Sequence, residues 1–431
     1  MRMGLYTIIA GILLLASFVG LIVYCMRGGN LLVGFVFMAL VWCLIGRVPY
    51  RTIVDTVFQS SVENYGPTIA IIVFGSWFGR VIVDTGIAGF IIKKTVELAG
   101  DKPVITTLLV SIVCSLIFTS AFGVGSVMAI GIIVLPILFS LGVEKSVAVG
   151  SYLMSVAAGM YLNLGYVNQL FALFPNMTYD NQYIKFAVTA TVVHVVIMLA
   201  FILFHFTKKR PARVRAWAVS PSAPAPKPIP AFAAVVPFLP ILMVAVFKWK
   251  PVPSFLLGIF FGLLFTGNMA SYKTAIEKVQ KTLYDGIADV GLLIGMLYGV
   301  NIFSTAAKQV SPILSQLLGG VIPQSAFVIL IIFIICAPLG LFRGPLMVFG
   351  SGAATLAILQ ATGFFPEAFL FILFLVPPVA IVANSCPTQS WSMWGLSYGK
   401  MEPKAYIRTN FPWSWGIFAI NMLIGYFIIA G

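Results

Sequence analysis

Two apolar stretches of about 40 residues, 103–143 and 323–363, are each too long for one membrane crossing, and each is broken at its centre. The first breaks at Thr119-Ser120-Ala121-Phe122-Gly123-Val124-Gly125-Ser126, the second at Leu339-Gly340-Leu341-Phe342-Arg343-Gly344-Pro345. A hydrocarbon core of roughly 30 Å needs only about 20 helical residues. Each stretch therefore reads as two half-length helices meeting at a turn, a hairpin that enters the membrane and returns. Irregular backbone at membrane depth survives only where protein buries it or where it lines a wet cavity. Paired broken segments in two halves of a chain point to a substrate site, so the expected class is a secondary transporter.

Composition agrees. Hydrophobic residues make up 60% of the chain and charged residues 9%, against roughly 25% charged in soluble domains. Apolar runs recur from Leu5 to Ile429, the pattern of an all-α polytopic membrane protein of the cell membrane, solvated by the lipid bilayer. The first run, 5–25, is too long for a secretory signal and reads as a crossing. Cys25, Cys43, Cys114, Cys336 and Cys386 all fall inside apolar runs and suggest neither a disulfide framework nor a metal site. The net charge of +14 is spread between apolar segments, which argues against a nucleic-acid partner and for the basic excess of cytoplasmic loops.

The Pro/Ala/Ser-rich segment 216–230 has a linker's composition. It divides the chain into a first repeat, 1–207, a cytoplasmic linker, 208–230, and a second repeat, 231–431. Cys114 and Cys336, Phe122 and Phe342, Asn163 and Asn384, and Gln169 and Gln389 correspond at nearly one offset. Each half is expected to hold five crossings and one re-entrant hairpin. Crossings fall near 5–26, 30–46, 66–83, 146–177 (broken) and 184–207, then near 231–247, 253–267, 287–304, 365–397 (broken) and 412–429. An odd number per half makes the repeats inverted. With the linker cytoplasmic, 18 of the 26 basic residues lie inside and 7 outside, Arg343 being left in a hairpin. Both termini are then outside. Segment 89–98, with Lys93, Lys94 and Glu97 among apolar residues, suits an amphipathic helix at the inner surface.

The tips offer backbone, hydroxyls and one cation. Gly123 and Gly125 let the first tip turn and expose amides and carbonyls, and Gly344 does so beside Arg343 in the second. Half-helix N-termini suit an anion, while freed carbonyls and the hydroxyls of Thr119, Ser120 and Ser126 suit a coupling cation. The plainer reading is a small-residue tip made for close helix packing. Arg343 is the sharpest residue, because a charge at bilayer depth costs roughly 3 kcal/mol or more and marks a substrate path or an ion pair. Its planar fork matches a carboxylate. The structural alternative pairs it with Asp289, Asp84 or Glu63.

The broken crossings carry Asn163, Asn168 and Gln169 in one half and Asn384, Ser385, Thr388 and Gln389 in the other. Amides both donate to carboxylates and accept from cations, so these join the substrate set, with Asn163 and Asn384 also in the coupling-ion set. Otherwise they mend the broken helices. Asp289, three residues into its expected crossing, suits either a coupling proton or a helix start. His194 reads as a packing residue.

The run Gly79-Arg-Val-Ile-Val-Asp-Thr-Gly-Ile-Ala, then Ala99-Gly-Asp-Lys-Pro, then Leu135-Pro136 and the break at Asn163, resembles the ion transporter superfamily. The layout is most similar to the citrate–metal–proton symporters, with the gluconate permeases next. The resemblance implies carboxylate symport, a homodimer held by scaffold helices, and elevator motion of a hairpin-bearing domain. The citrate–metal symporters carry an acidic first tip, whereas this one reads Ser120-Ala-Phe-Gly-Val-Gly125, which favours a free carboxylate over a metal complex.

The expectation is a symporter importing a small organic anion (mono-, di- or tricarboxylate), with sodium slightly preferred over protons, no metal beyond a sodium ion, and no other cofactor. A cation/proton antiporter of the same superfamily is the alternative and an anion channel is less favoured. With no nucleophile–base pair or metal cluster in the sequence, an enzyme ranks last.

Overall fold

The computed structural model describes residues 4–208, 229–318 and 320–430. The expected linker, including its basic cluster, lies almost wholly outside the described residues. Those described are helical throughout apart from short connections, with no strand among them. Six of the helices are long and apolar enough to cross a membrane, and two further pairs, bent by 58° and 67°, pass that test together. The chain is an all-helical, multi-pass membrane protein.

The order of elements in the first half recurs in the second. Helix Leu31–Ile45 is matched by Pro251–Phe265, the broken pair Lys145–Met160 and Leu164–Phe171 by Glu367–Pro377 and Ser390–Gly399, and Asn181–Lys208 by Pro403–Gly425. Local chemistry sets many of the boundaries. Pro103, Pro251 and Pro403 occupy first helical positions, where a missing N–H costs nothing. The Asn30 side chain caps Leu31–Ile45 by accepting from Val33 N at 3.2 Å. Ile87–Ala99 is the amphipathic helix anticipated at the surface. It buries Ile87, Ala88 and Ile92 and exposes Lys94 and Glu97, which pair at 2.7 Å. The Lys94 hydrogen bond holds the Glu97 carboxyl below its usual range.

Both hairpins form. The first joins Pro103–Phe118 to Val124–Ser140 through Gly123, whose φ of +97° few other residues adopt readily. The second joins Ala326–Ile335 to Gly352–Thr362 through a longer irregular stretch. Both broken crossings are enclosed by protein: residues 147–160 and 369–387 are buried without interruption. This is where a membrane protein can tolerate unpaired backbone.

One element differs from expectation. The crossing placed near 287–304 is the middle of a single helix, Tyr272–Leu318, of 47 residues. At 1.5 Å per residue it runs about 70 Å, more than twice the hydrocarbon thickness. Its corresponding first-half region is divided, with Gly66–Asp84 ending before Gly86 at φ +86°. Residues 272–285, rich in Lys and acidic side chains, continue the same helix, and no glycine or proline interrupts them. Asp289 therefore lies more than four turns inside the helix, which removes the helix-start reading.

Candidate functional site

A cavity of about 1090 Å³ lies between the two hairpin tips. Phe122, Gly123, Val124 and Gly125 contribute from the first tip, and Arg343, Met347 and Phe349 from the second. The broken crossings add Met160, Tyr166 and Gln169 on one side and Pro378, Val382, Gln389, Ser390 and Trp391 on the other. Residues 288–293, 295 and 296 of the long helix complete the wall with 28–30 from the connection after the first helix and Leu31 and Leu32 at the start of the next.

Of the residues singled out from sequence, Arg343, Gly123, Gly125, Gln169 and Gln389 meet in this cavity. Arg343 is half-buried and has no ion-pair partner among the described residues. It and Phe342 hold φ values of 60° and 54°, a left-handed backbone that side chains other than glycine seldom adopt. Such strain is of order 1–3 kcal/mol per residue and persists only where neighbours enforce it. Here they do. Phe342 N donates to Cys386 Sγ at 3.2 Å, tying the tip to the second broken crossing. The Arg343 carbonyl accepts from both the amide and the hydroxyl of Ser351, at 3.0 and 3.1 Å. A Cβ at Gly350 would stand 2.5 Å from that carbonyl, and one at Gly344 would collide with the Leu339 carbonyl. The tip is folded around Arg343.

The second cation in the wall was not foreseen as a site residue. Arg80 sits in helix Gly66–Asp84 and had been counted among inner-surface charges. Its Nε and Nη2 donate to the two carboxylate oxygens of Asp289 at 2.5 and 2.7 Å. Asp289 is thus the partner of Arg80, and its proposed pairing with Arg343 is excluded in this conformation. The two helices meet along a polar seam: Ser76 Oγ donates to Gly286 O at 2.8 Å, and Trp77 Nε1 to Thr282 Oγ1 at 3.0 Å. At the end of the seam Lys281 reaches the Asp84 carboxylate at 3.1 Å. Gly286 allows the approach, since a Cβ there would meet the Trp77 backbone at 2.8 Å. Gly125 lies against the ion pair so closely that a Cβ would overlap both charged groups. An arginine four residues from the end of an apolar crossing was the signal in the sequence for this pair.

Apart from Gln169, the residues taken next lie outside the cavity wall. The Asn163 amide donates to the carbonyls of Phe118 and Ala121, both at 2.9 Å, while its oxygen accepts from Tyr166 N at 3.1 Å. This side chain caps Leu164–Phe171 and satisfies carbonyls freed at the first tip. Asn168 and Gln169 donate to carbonyls one turn back, those of Leu164 and Gly165. Thr119 and Ser126 donate to Leu116 O and Phe122 O, whereas the buried Ser120 hydroxyl has no partner among the described residues. In the second half Ser385 bonds Ser414 at 2.6 Å, and Thr388 lies 3.1 Å from Cys386 Sγ. Asn384 Nδ2 donates to Ala380 O at 2.7 Å and lies 3.2 Å from His194 Nε2, leaving Asn384 Oδ1 and His194 Nδ1 without partners. His194 is therefore in contact with a candidate residue rather than a satisfied packing group. No cluster of metal-ligating side chains occurs among the described residues.

No family model matches the chain, so the likeness to the citrate–metal–proton symporters rests on the quoted motifs alone. No curated protein matches it either. Among solved structures, the YdaH transporter of Alcanivorax borkumensis matches with a TM-score of 0.65, covering 93% of this chain and 98% of that one at 13% identity. The fold is shared along nearly the whole length.

Proposed function

We propose that this protein is a secondary active transporter that imports a small organic anion by cation symport. The observation that carries this is Arg343: an unpaired guanidinium on a strained, heavily braced tip, facing a cavity between two hairpins. Gln169, Gln389 and the backbone of Gly123 and Gly125 line the same cavity and are proposed to share the anion. The buried, unpartnered Ser120 hydroxyl, with Thr119, Ser126 and the carbonyls that Asn163 gathers, supplies oxygen ligands for a monovalent coupling ion, and we favour sodium. Asn384 takes the corresponding role in the second half. The likeness to a transporter fold supports this reading. The same reading includes inverted repeats with both termini outside, a homodimer, and elevator-type movement of the tips.

The alternative, a cation/proton antiporter, gains one observation. Asp289 brings a carboxylate into the cavity, and proton pathways are built from such groups. Proteoliposome uptake across a panel of organic acids, with sodium and proton gradients imposed separately, decides between them. Symport predicts acid accumulation driven by a cation gradient. Cation exchange with no organic substrate would replace it with antiport.

A further inference from the structure

The cavity wall contains three charged side chains, Arg80, Asp289 and Arg343. Two of them neutralise each other through a two-pronged contact at 2.5 and 2.7 Å. One positive charge is left. A ligand with two carboxylates would place the first on Arg343 and find no second free cation for the other, only neutral groups such as Gln169, Gln389 and Ser390, apolar side chains, or the Asp289 carboxylate. To recruit Arg80 it must displace Asp289 and leave that carboxylate unpaired at membrane depth, where an isolated charge is costly. The rest of the wall has the opposite character. Met128, Met160, Met296, Met347, Phe122 and Phe349 line it, and methionine and aromatic surfaces adapt to irregular apolar bodies. The volume of about 1090 Å³ stands at the upper end of ordinary small-ligand pockets, far more than a two- or three-carbon acid fills.

Resting on the anion-transport reading, we infer that the substrate is a monoanion with an extended apolar body, such as a medium-chain or aryl monocarboxylate. Asp289 sets this selectivity by compensating the Arg80 charge within the ion pair. Arg343 takes the carboxylate, and the methionine-lined wall takes the body.

Purified full-length protein should be titrated at neutral pH with hexanoate and with adipate, which match in chain length and differ by one carboxylate, and with citrate. Hexanoate is expected to bind at least ten-fold more tightly than either. Asp289→Asn should narrow or reverse that ratio by improving adipate binding. Because this variant leaves Arg80 unpaired and can compromise folding, the double variant Arg80→Gln/Asp289→Asn provides a second test: it restores one net positive charge and should restore the preference for hexanoate. Tighter binding of adipate or citrate to the wild type overturns the inference, as does an unchanged ratio in well-folded Asp289→Asn. If adipate is preferred but its binding is lost in Arg343→Ala, the anion-transport reading survives and the monoanion inference does not. If no acid binds, both fall.

Discussion

Arg80 and Asp289, 209 residues apart in sequence, face each other as a two-pronged ion pair that joins a first-half helix to a second-half helix. The pair lies against Gly125 at the start of the first hairpin's returning helix. Their side chains are 20% and 11% exposed, so each is largely withdrawn from water yet touches the cavity. Removing one partner strands a charge, which costs about 3–5 kcal/mol in a buried site and less in a partly wet one. Arg80→Ala or Asp289→Ala should therefore lower stability by roughly 2–4 kcal/mol. The double alanine variant should be more stable than the sum of the two losses implies. Thermal unfolding of the four proteins in detergent measures this coupling, and strict additivity would show that the contact contributes nothing.

Gly125→Ala puts a methyl group onto the same ion pair. Unlike Gly123, Gly125 has an ordinary backbone conformation, so the effect comes from crowding alone. Overpacking of this kind costs typically 1–3 kcal/mol. The expected signature is a smaller cost of Gly125→Ala in an Asp289→Ala background than in the wild type, since part of the crowding is then gone. Gly123→Ala, strained by its positive φ, should gain nothing from that second change.

Asn163 satisfies two carbonyls and one amide, and Asn163→Ala should cost about 2–3 kcal/mol at roughly 1 kcal/mol per hydrogen bond. If the carbonyls of Phe118 and Ala121 also hold a coupling ion, the variant should lose sodium-dependent stabilisation beyond that fixed cost. Unfolding measured with sodium and with a large organic cation separates the two. An equal loss in both media would leave Asn163 a structural cap and remove it from the coupling site.

Topology is open to direct labelling. In a background with native cysteines replaced, cysteine at the exposed Ser271 should react from the cytoplasmic side and cysteine at the exposed Thr178 from outside. Reaction of both from one face would contradict the inverted arrangement.

Much of the fold was legible because apolar length and breaks are local properties. The helices near 5–26, 66–83 and 184–207 and the central breaks of both long apolar stretches are found within a few residues of their expected bounds. Arg343 was legible for the same reason, a charge amid apolar neighbours. The Arg80–Asp289 pair was not, because it depends on bringing two halves together. For Asp289 the sequence left a helix start open beside a coupling proton, because the charged stretch 272–285 hid the continuation of its helix. Nor could sequence show that the second tip extends to Ser351. That depends on a side chain returning eight residues to cap the Arg343 carbonyl. The orphaned His194 and Asn384 atoms belong to the same class, as contacts 190 residues apart.

The central claim is that Arg343 grips the substrate's carboxylate, and the direct measurement is ligand affinity of wild type and Arg343→Ala in well-folded, purified protein. A charge-assisted contact is worth about 1.5–3 kcal/mol, so affinity for the transported anion should weaken by roughly 10- to 150-fold. Arg343→Lys should recover part of the loss, since an ammonium keeps the charge without the planar fork. An anion affinity unchanged in Arg343→Ala would contradict the account.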